Sequence, residues 1–500
     1  MTTTPDAQPT ELTFDVVVVG AGAVGENVAD RAGRGGLSVA VVESELVGGE
    51  CSYWACMPSK ALLRPGAVLA AARAVPGAAA AVTGELDVPA VLARRDTFTS
   101  DWDDSGQVEW LENAGIELVR GAARFTGPRR LEVTDPDTGA VTVVAARRAV
   151  VVATGSEPVL PDVPGLATVS PWTSREATAA QSVPGSLAIV GGGVVAAEMA
   201  TAYADLGSRV TLVVRGERLL ERYEPFAGEA VGAALTERGV DVRFGTQVTR
   251  AARDDRGVLL ELSAGEPVLA DEVLVATGRR PRTSDLGLET IGLEPGAALT
   301  VDDSMRVPAV DDGWLYATGD VTGRVATTHQ GKYDARVAGD VIASRFPAGD
   351  DDGGGTAPGG APDAPAADTA GPWSRWRATA DHEAVPQVVF THPEVASVGL
   401  TEQGARDAGY PVRAVQYAIG SVAGASLAAD GYEGTASIVV DTDREVILGA
   451  TFVGPEVAEM LHAATIAVVG QVPLGRLWHA VPSYPTVSEV WLRLLETYGL

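Results

Sequence analysis

Residues 14–25 read FDVVVVGAGAVG, a stretch that leads from an apolar run with four consecutive valines into a glycine-rich turn. An apolar-periodic segment over about 24–33 and a second apolar run over 38–42 follow it. This spacing predicts a strand, a tight turn, a helix and a second strand. The order of these elements indicates an α/β fold.

The turn has the composition of a dinucleotide-binding motif. Gly20, Gly22 and Gly25 allow a tight turn, and they let backbone N–H groups at the helix N-terminus meet a pyrophosphate. Glu43 ends the second strand, eighteen residues after Gly25, where an acidic side chain can accept hydrogen bonds from a ribose diol. The sequence therefore predicts a first nucleotide site, and a glycine turn in an α/β protein without a nucleotide is the alternative.

The same order of elements recurs later in the chain. The apolar run 187–190 leads into three glycines, a helical segment over about 194–206 and a further apolar run over 209–214. Gly191 and Gly193 can make the same tight turn at the start of the helix. This repeat predicts a second dinucleotide site.

Positive charge follows the second strand of this repeat. Arg215 and Arg218 stand where cationic side chains accept a 2'-phosphate, in place of the acid that binds a bare ribose diol. The sequence therefore favours NADPH over NADH as the cofactor. Glu217 and Glu221 lie close by in sequence and could neutralise the arginines, in which case NADH would also be accepted.

Composition limits the classes of partner. The chain of 500 residues is 46% apolar, which predicts a globular protein of about three packed units. Its 66 acidic and 38 basic side chains give a formal charge of -28, which disfavours nucleic acid and anionic lipid as partners. The first fifteen residues lack a signal-peptide pattern and no run approaches eighteen apolar residues, so we expect a cytoplasmic protein that does not enter a membrane.

Cys51 and Cys56 are the two cysteines of the chain, in the segment GGECSYWACMPSK at 48–60. Two cysteines are too few for a zinc cage, and a close pair indicates redox chemistry, with two buried structural cysteines as the alternative. Regular helix would separate them by about 7.5 Å along its axis, but the Cα atoms of a disulfide lie about 4.4 to 6.8 Å apart. A disulfide therefore requires a distorted helix start, where the helix dipole and Lys60 would lower the pKa of a thiol.

The segment 48–60 closely resembles the active-site segment of the class I pyridine nucleotide-disulfide oxidoreductases, the family of dihydrolipoyl dehydrogenase, glutathione reductase and mercuric reductase. Further stretches resemble the same family, and the resemblance covers nearly all of the chain. They are ATGS at 153–156, ATGRRP at 276–281, YATGDV at 316–321, and FTHPE at 390–394, which runs on to GLTE at 399–402.

The resemblance implies two Rossmann-like dinucleotide-binding domains, for FAD and NAD(P), and a C-terminal α+β dimerisation domain. We expect a discontinuous FAD-binding domain over 1–160 and 281–346 and an NAD(P)-binding domain over 161–280. A Gly/Ala/Pro/Asp-rich tract predicts a disordered insertion over 347–384. The segment 385–500 would then form the two-fold interface of a homodimer and complete the active site of the partner subunit.

The resemblance also implies roles for individual residues. Cys56 would lie against the isoalloxazine ring, and Cys51 would exchange with an outside substrate. Lys60 and Glu198 would pair beside the flavin where the nicotinamide docks, and Asp320 would hold the ribityl chain. The residues expected to contact FAD are Gly20, Gly22, Gly25, Glu43, Lys60, Thr154, Gly155 and Asp320. Those expected to contact the nicotinamide nucleotide are Gly191, Gly193, Glu198, Arg215, Arg218 and Gly278.

The C-terminal run departs from the family pattern. Disulfide-reducing members carry a histidine directly before Pro-Thr-x-Ser-Glu, and this histidine, with the glutamate behind it, takes and returns the thiol proton. Here Tyr484 replaces the histidine and Glu489 ends the run. A phenol keeps its proton at neutral pH, so ordinary turnover of dihydrolipoamide or glutathione is not implied. His479 could serve as the base instead, and Tyr484 could donate a hydrogen bond to a reduced oxyanion or contact a metal ion.

Three functions follow as hypotheses. The first is an enzyme similar to dihydrolipoyl dehydrogenase, which passes electrons from NADPH through FAD and the Cys51–Cys56 disulfide to a small disulfide or a lipoyl group. The second is a quinone or dye reductase, or a transhydrogenase, that works from the flavin alone, and the missing histidine favours it. The third is a non-enzymatic redox-sensing flavoprotein.

Overall fold

The computed structural model describes residues 10–347 and 369–500, and the chain forms two compact units. The first unit consists of Met1–Tyr53, Thr99–Glu157 and Arg279–Asp381. The second consists of Trp54–Phe98, Pro158–Gly278 and His382–Leu500. Each unit therefore takes residues from three separate parts of the chain.

A seven-stranded sheet forms the centre of the first unit. Its strand Thr10–Val19 pairs in parallel with Val39–Glu43 and with Val141–Val152, which confirms the predicted order of strand, turn, helix and strand. Across the sheet, the strands are Glu117–Arg120, Val39–Glu43, Thr10–Val19, Val141–Val152, Arg130–Thr134 and Ala122–Gly127, with Leu315–Ala317 also paired to Val141–Val152. The α-helices described within this unit are Ala23–Arg34, Gly49–Tyr53, Ser105–Asn113 and Thr328–Arg345, and short 3-10 turns are Ser100–Trp102, Leu288–Ile291, Asp311–Gly313 and Gly319–Thr322.

The valine half of the first strand of this sheet, residues 16–19, is buried on both faces. Val16 and Val18 belong to a core that includes Val28 of the first helix, while Val17 and Val19 belong to the core on the opposite face. A strand covered on both sides has no polar positions that alternate with apolar ones. This explains the run of four valines in the sequence.

A four-stranded parallel sheet in the second unit carries the second glycine turn. Its strands, in order, are Asp241–Arg243, Arg209–Val213, Ser186–Val190 and Glu272–Val275. A separate antiparallel sheet contains Val248–Asp254, Gly257–Leu262 and Val268–Ala270. The helices of this part are Cys56–Arg73, Pro76–Ala79, Val88–Phe98, Ser174–Ala179, Val194–Asp205 and Pro225–Glu237, with a 3-10 turn at Leu166–Val169. Ser156–Pro158 and Arg279–Pro281 are short strands.

A five-stranded antiparallel sheet forms the C-terminal part of the second unit. Its strands, in order, are Pro386–Val389, Glu394–Gly399, Val446–Gly454, Thr435–Asp441 and Val412–Ala418. The helices are Glu402–Asp407, Ala423–Ala428, Leu461–Val469, Leu474–Leu477 and Val490–Tyr498, with 3-10 turns at Ile419–Ser421, Val457–Met460 and Val487–Glu489. The predicted fold class, with two nucleotide-binding sheets and a C-terminal α+β part, is confirmed. No described helix has both the length and the apolar content needed to cross a membrane.

Residues 54–98 lie in the second compact unit. The FAD-binding domain expected over 1–160 and 281–346 stays a prediction. Leu62 and Leu63, on the helix Cys56–Arg73, share a core with Met199. The assignment of this segment therefore depends on burial against residues that are distant in sequence.

Part of the segment 347–384, for which the sequence predicts a disordered insertion, lies among the described residues. Its residues 348–368 lie outside the described residues. Ala370, Trp376 and Ala378 are buried in a core of the first unit, and Ala380–Glu383 is a helix. The described end of this segment is ordered because its few apolar side chains find a core to enter.

A buried acidic pair anchors this ordered segment. Asp334 is fully buried, and the Asp381 carboxylate beside it accepts a hydrogen bond from Gln330 Nε2 at 2.6 Å and lies 3.4 Å from Arg324 Nη1. Burial and the adjacent charge of Asp381 raise the pKa of Asp334 to about 8. Asp334 therefore carries a proton at neutral pH in the folded protein.

We predict that Asp334→Asn makes stability less dependent on pH. The pKa of an unfolded aspartate is about 3.9, so between about pH 4 and pH 8 the folded protein holds a proton that the unfolded chain releases. The contribution of this group to stability is present below pH 4 and is lost as the pH rises through 8. From pH 6 to pH 9 the melting temperature of the wild type should fall by about 3 °C more than that of the variant.

Asp340 offers a matched control on the same helix, since it pairs with Arg31 at 2.8 Å. Asp340→Asn should keep the pH dependence of the wild type. An equal fall in melting temperature for the wild type and Asp334→Asn would contradict the assignment of the proton to Asp334.

Candidate active site

The first glycine turn is built from close backbone contacts. Gly20 has φ +100°, and a Cβ on it would lie 2.6 Å from the Ala153 carbonyl oxygen. A Cβ on Gly25 would lie 1.9 Å from the Gly20 carbonyl oxygen, whereas the nearest atom to one on Gly22 would be 3.9 Å away. Gly20 and Gly25 are therefore required by close approach, and Gly22 leaves space beside the turn.

Glu43 lies at this turn, as its sequence position predicts. Its Oε2 accepts a hydrogen bond from the Ala21 N–H at 2.8 Å, and its Oε1 accepts one from the Glu45 N–H at 2.8 Å. Burial raises the pKa of Glu43. The carboxylate thus holds the turn in place at the end of the second strand, where the ribose of a dinucleotide would bind.

Two further sequence motifs of the first unit meet at Ser156 and Asp320. The Ser156 hydroxyl donates a hydrogen bond to Asp320 Oδ2 at 2.6 Å. Thr154 Oγ1 donates one to the Arg282 carbonyl oxygen at 2.7 Å. Gly155 has φ +71°, and a Cβ on it would meet nothing within 4 Å. Ser156, which directly follows the predicted FAD residues Thr154 and Gly155, therefore joins this turn to Asp320.

The residues of the first unit fit FAD. Its glycine turn leaves the backbone exposed beside Gly22, and the helix that follows presents its N-terminus, as a pyrophosphate requires. Two buried polar atoms, Glu26 Oε1 and Thr318 Oγ1, have no hydrogen-bond partner within residues 10–347 and 369–500. Burial raises the pKa of Glu26 to about 7. A polar ligand at this turn would satisfy such atoms.

The second glycine turn has the same construction in the second unit. Gly191 has φ +142°, and a Cβ on it would lie 2.3 Å from the Ala276 carbonyl oxygen. A Cβ on Gly193 or on Gly278 would meet nothing within 4 Å. The close approach of the Ala276 backbone therefore requires glycine at position 191. Gly193 and Gly278 border open space.

Arg215 and Arg218 lie in a loop that folds back onto this turn. The Leu220 N–H donates a hydrogen bond to the Gly192 carbonyl oxygen at 2.8 Å. Arg218 Nη2 donates to the carbonyl oxygen of Glu221 at 3.3 Å, and within the described ranges neither arginine forms an ion pair with a carboxylate. The sequence left open whether Glu217 and Glu221 neutralise these two arginines. The described residues show no such ion pair.

The two cysteines lie on either side of a break in the helix. Cys51 belongs to the helix Gly49–Tyr53, and Cys56 is the first residue of the helix Cys56–Arg73. Ala55, between them, has φ -136° and ψ -95°, which is not helical. The structure therefore contains the distorted helix start that a Cys51–Cys56 disulfide would require. Both cysteines are half-buried.

Lys60 and Glu198 form an ion pair. Lys60 Nζ lies 2.7 Å from Glu198 Oε2, and the side chains are 36% and 4% exposed. Glu198 Oε1 accepts a hydrogen bond from the Phe390 N–H at 3.0 Å, and the Lys60 ammonium lies 4.9 Å from the centre of the Phe390 ring. The pair predicted from the resemblance is thus present, and its docking role for the nicotinamide remains a prediction.

The C-terminal residues differ in exposure and contacts. Tyr484 is 77% exposed, and His479 is exposed as well. Glu489 Oε1 accepts a hydrogen bond from Arg493 Nη2 at 2.6 Å. The glutamate that would orient a histidine base is therefore held by an arginine one helical turn away.

Sequence reasoning missed several residues that contact the predicted ones. Glu50, Ser156 and Arg279 connect the first cysteine segment to Asp320, and Phe390 contacts the Lys60–Glu198 pair. The family-like stretches 153–156, 276–281 and 390–394 contain Ser156, Arg279 and Phe390. Membership of these stretches was the sequence feature that could have pointed to the three residues. Glu50 directly precedes Cys51, and nothing in its local pattern shows what it contacts.

Comparison with known proteins gives the family. Residues 14–335 match the model of the pyridine nucleotide-disulphide oxidoreductases, and residues 385–494 match the dimerisation domain of the same family. The chain belongs to this family. It is therefore an oxidoreductase of a family that binds FAD and NAD(P)H, and its dimerisation domain implies a homodimer.

Curated relatives of this pyridine nucleotide-disulphide oxidoreductase include enzymes of two activities. The chain is 32% identical to a dihydrolipoyl dehydrogenase from Thermus scotoductus over 97% of each chain. It is 30% identical to a mercuric reductase from Staphylococcus aureus, over 95% of this chain and 81% of the relative. These relatives therefore show the family, and because they carry out two different reactions they do not identify the substrate.

Solved structures share the fold of the oxidoreductase. The Cu(II) complex of the HOCl-induced flavoprotein disulfide reductase RclA from Escherichia coli has a TM-score of 0.80 at 23% identity, over 97% of this chain and 99% of that chain. LpdA from Mycobacterium tuberculosis has a TM-score of 0.78 at 23% identity, over 98% of this chain and all of that chain. At this identity the likeness concerns the fold alone.

We predict that Gly20→Ala weakens FAD binding by about tenfold or more, because the added methyl would force the turn away from Ala153. The ratio of absorbance at 450 nm to that at 280 nm in purified protein measures the bound flavin. Gly115→Ala is the matched control, since Gly115 also has positive φ but would meet nothing within 4 Å. Equal flavin content in the two variants would contradict the close-approach argument.

Proposed function

We propose that the enzyme takes two electrons from NADPH and delivers them through FAD to a Cys51–Cys56 disulfide, and from there to a small disulfide or a lipoyl group. One observation carries the proposal. Cys56 and Lys60 stand four residues apart on one helix, so they share a face, and the Lys60 ammonium is fixed by the buried Glu198 carboxylate. The redox cysteine and the Lys60 ammonium therefore lie on the same face of one helix.

The position of Cys56 favours a thiolate. It begins an 18-residue helix, and the positive end of a helix dipole stabilises negative charge within the first turn. The Lys60 ammonium adds positive charge one turn further on. Both place positive charge where a Cys56 thiolate would lie, and the thiolate is the form that donates an electron pair.

One group of residues would bind FAD, and another would orient the nicotinamide. Gly20, Gly22, Gly25 and Glu43 would hold FAD, which when bound supplies two-electron transfer between a nicotinamide and a disulfide. The Glu198 carboxylate keeps the Lys60 ammonium in one position through its two contacts. Such an arrangement orients a nicotinamide without any movement of the ion pair.

Release of electrons to a disulfide acceptor would proceed by thiol exchange. The Cys51 thiolate attacks one acceptor sulfur, the acceptor S–S bond breaks, and the released thiolate takes a proton from water. The Cys56 thiolate then attacks the Cys51 sulfur, which restores the internal disulfide and releases the second acceptor thiolate, and this thiolate also takes a proton from water. The acceptor gains two electrons and two protons, and the cysteine pair loses two electrons.

Arg215 and Arg218 support NADPH as the donor. Both follow the strand Arg209–Val213, in a loop that folds back onto the glycine turn. A guanidinium group binds a phosphate through charge-assisted hydrogen bonds, which a 2'-hydroxyl cannot replace.

We predict that Arg215→Ala lowers kcat/KM for NADPH by about tenfold or more and changes kcat/KM for NADH by much less. Steady-state reduction of a dye with each nucleotide provides the measurement. Arg209→Ala, which removes an exposed arginine from the opposite end of the same strand, should leave both values unchanged. Equal losses for NADPH and NADH in Arg215→Ala would argue against 2'-phosphate recognition.

A second route has support from the C-terminal residues. Tyr484 stands in place of the histidine, and Glu489 is engaged by Arg493. Transfer from the flavin to a quinone, a dye or a second nicotinamide requires no thiol base. This route would leave the cysteines without a part in turnover.

Cys51→Ser separates the two routes. If electrons leave through the cysteines, we predict that the variant loses turnover with a disulfide or lipoyl acceptor by at least about a hundredfold, because serine cannot form the exchange intermediate. If they leave from the flavin, the rate with quinone is retained. Ser52→Ala is the control in the same helical turn, and it should keep both activities. Full disulfide turnover in Cys51→Ser would overturn the proposed route.

A further inference from the structure

Glu50 lies directly before Cys51 in the helix Gly49–Tyr53. Its carboxylate oxygens lie 3.5 Å from Arg279 Nη2 and 3.9 Å from Arg282 Nη2. About a quarter of the Glu50 and Arg279 side chains is exposed. The residue next to the exchanging cysteine is therefore held by two arginines that lie more than 200 positions away in sequence.

Arg279 continues this contact to the cofactor motifs. Its Nε donates a hydrogen bond to Ser156 Oγ at 2.8 Å, and its Nη2 donates one to the Ser156 carbonyl oxygen at 2.7 Å. The Ser156 hydroxyl in turn donates to Asp320 Oδ2 at 2.6 Å. A continuous chain of polar contacts thus joins Glu50 to Asp320.

The Arg282 end of this cluster is fixed by backbone contacts. The Arg282 N–H donates a hydrogen bond to the Gly155 carbonyl oxygen at 3.0 Å, and the Arg282 carbonyl oxygen accepts one from Thr154 Oγ1 at 2.7 Å. Both arginines are therefore held against the turn at 153–156. The two arginines therefore link Glu50 to this turn.

The charges in the cluster balance. Glu50 and Asp320 supply two carboxylates, and Arg279 and Arg282 supply two guanidinium groups. Removal of the Glu50 charge would leave one positive charge in excess, on arginines that contact the residue directly before Cys51. Excess positive charge near a thiol favours its thiolate.

We propose that Glu50 is a positioning residue that couples the helix of Cys51 to the FAD-holding Asp320, through Arg279 and Ser156. The proposal rests on the proposed function, since it takes Cys51 as the exchanging sulfur and Asp320 as an FAD ligand. Glu50 does two things in this arrangement. It fixes the side chain of Arg279, and its charge sets how readily Cys51 ionises.

A double-mutant cycle on FAD binding tests the coupling. Glu50→Gln, Ser156→Ala and the double variant are stripped of flavin, and FAD binding to each apoprotein is titrated by the quenching of flavin fluorescence. We expect Glu50→Gln to weaken binding about three- to fivefold and Ser156→Ala about tenfold. The double variant should bind like Ser156→Ala alone, because residues that act in one network are not additive. Fully additive losses would overturn the coupling.

Alkylation of Cys51 tests the effect of charge. Reduced protein is treated with iodoacetamide over a range of pH, and the label on the Cys51 peptide is measured by mass spectrometry. The pH at half-maximal rate should fall by about 0.5 to 1 unit in Glu50→Gln. Glu50→Asp, which keeps the charge but is one methylene shorter, should weaken FAD binding and leave this midpoint close to the wild-type value. An unchanged midpoint in Glu50→Gln would contradict the charge effect.

The neighbouring pair Arg280–Glu157, at 2.7 Å, is the control because each of its residues adjoins a member of the network. Glu157→Gln should change neither FAD binding nor the alkylation midpoint. The same shifts in this variant would contradict a specific role for Glu50. Wild-type protein that binds no FAD would refute the proposed function itself, whereas tight FAD binding with an additive cycle would refute only the role of Glu50.

Discussion

The ion pair between Lys60 and Glu198 is the contact on which the proposed chemistry depends. Its members lie 138 positions apart in sequence, and their 2.7 Å contact joins the helix of Cys56 to the helix that follows the second glycine turn. Loss of either partner would leave a charge without compensation, and for the buried Glu198 carboxylate this is unfavourable. The Phe390 N–H holds the same carboxylate from the C-terminal segment. Within the second unit, Glu198 therefore holds Lys60, which lies on the helix that begins at Cys56.

Much of the fold could be predicted because each decisive feature lies within a short stretch. The valine run and its glycine turn predict the central strand and first helix of the first unit, and the second glycine turn predicts the corresponding elements of the second. The placement of residues 54–98 and of 369–384 could not be predicted in this way. Their positions depend on where Leu62 and Trp376 are buried, and burial depends on residues that are distant in sequence.

The site was predictable to the extent that its residues stand in motifs of fixed spacing. Glu43 and the Lys60–Glu198 pair occupy the positions that the motifs predict. The partners of these residues were not predictable, since the Ser156–Arg279 and Ser156–Asp320 contacts span 123 and 164 positions. For Tyr484 the sequence alone shows that the histidine is missing. The structure adds that the tyrosine side chain is exposed. Family membership therefore gives the electron donor and carrier classes, and Tyr484 is the departure that bears on the proposed acceptor.

The proposed route requires Cys51 and Cys56 to take electrons from the flavin, and anaerobic titration of the purified protein with NADPH tests this transfer most directly. The visible spectrum is recorded as two electrons are added. We predict a long-wavelength absorption band from a thiolate beside oxidised flavin, because the Cys56 thiol sits at a helix N-terminus near the Lys60 ammonium. Bleaching of the flavin without this band would show that the cysteines do not accept the electrons, and it would contradict the proposed route.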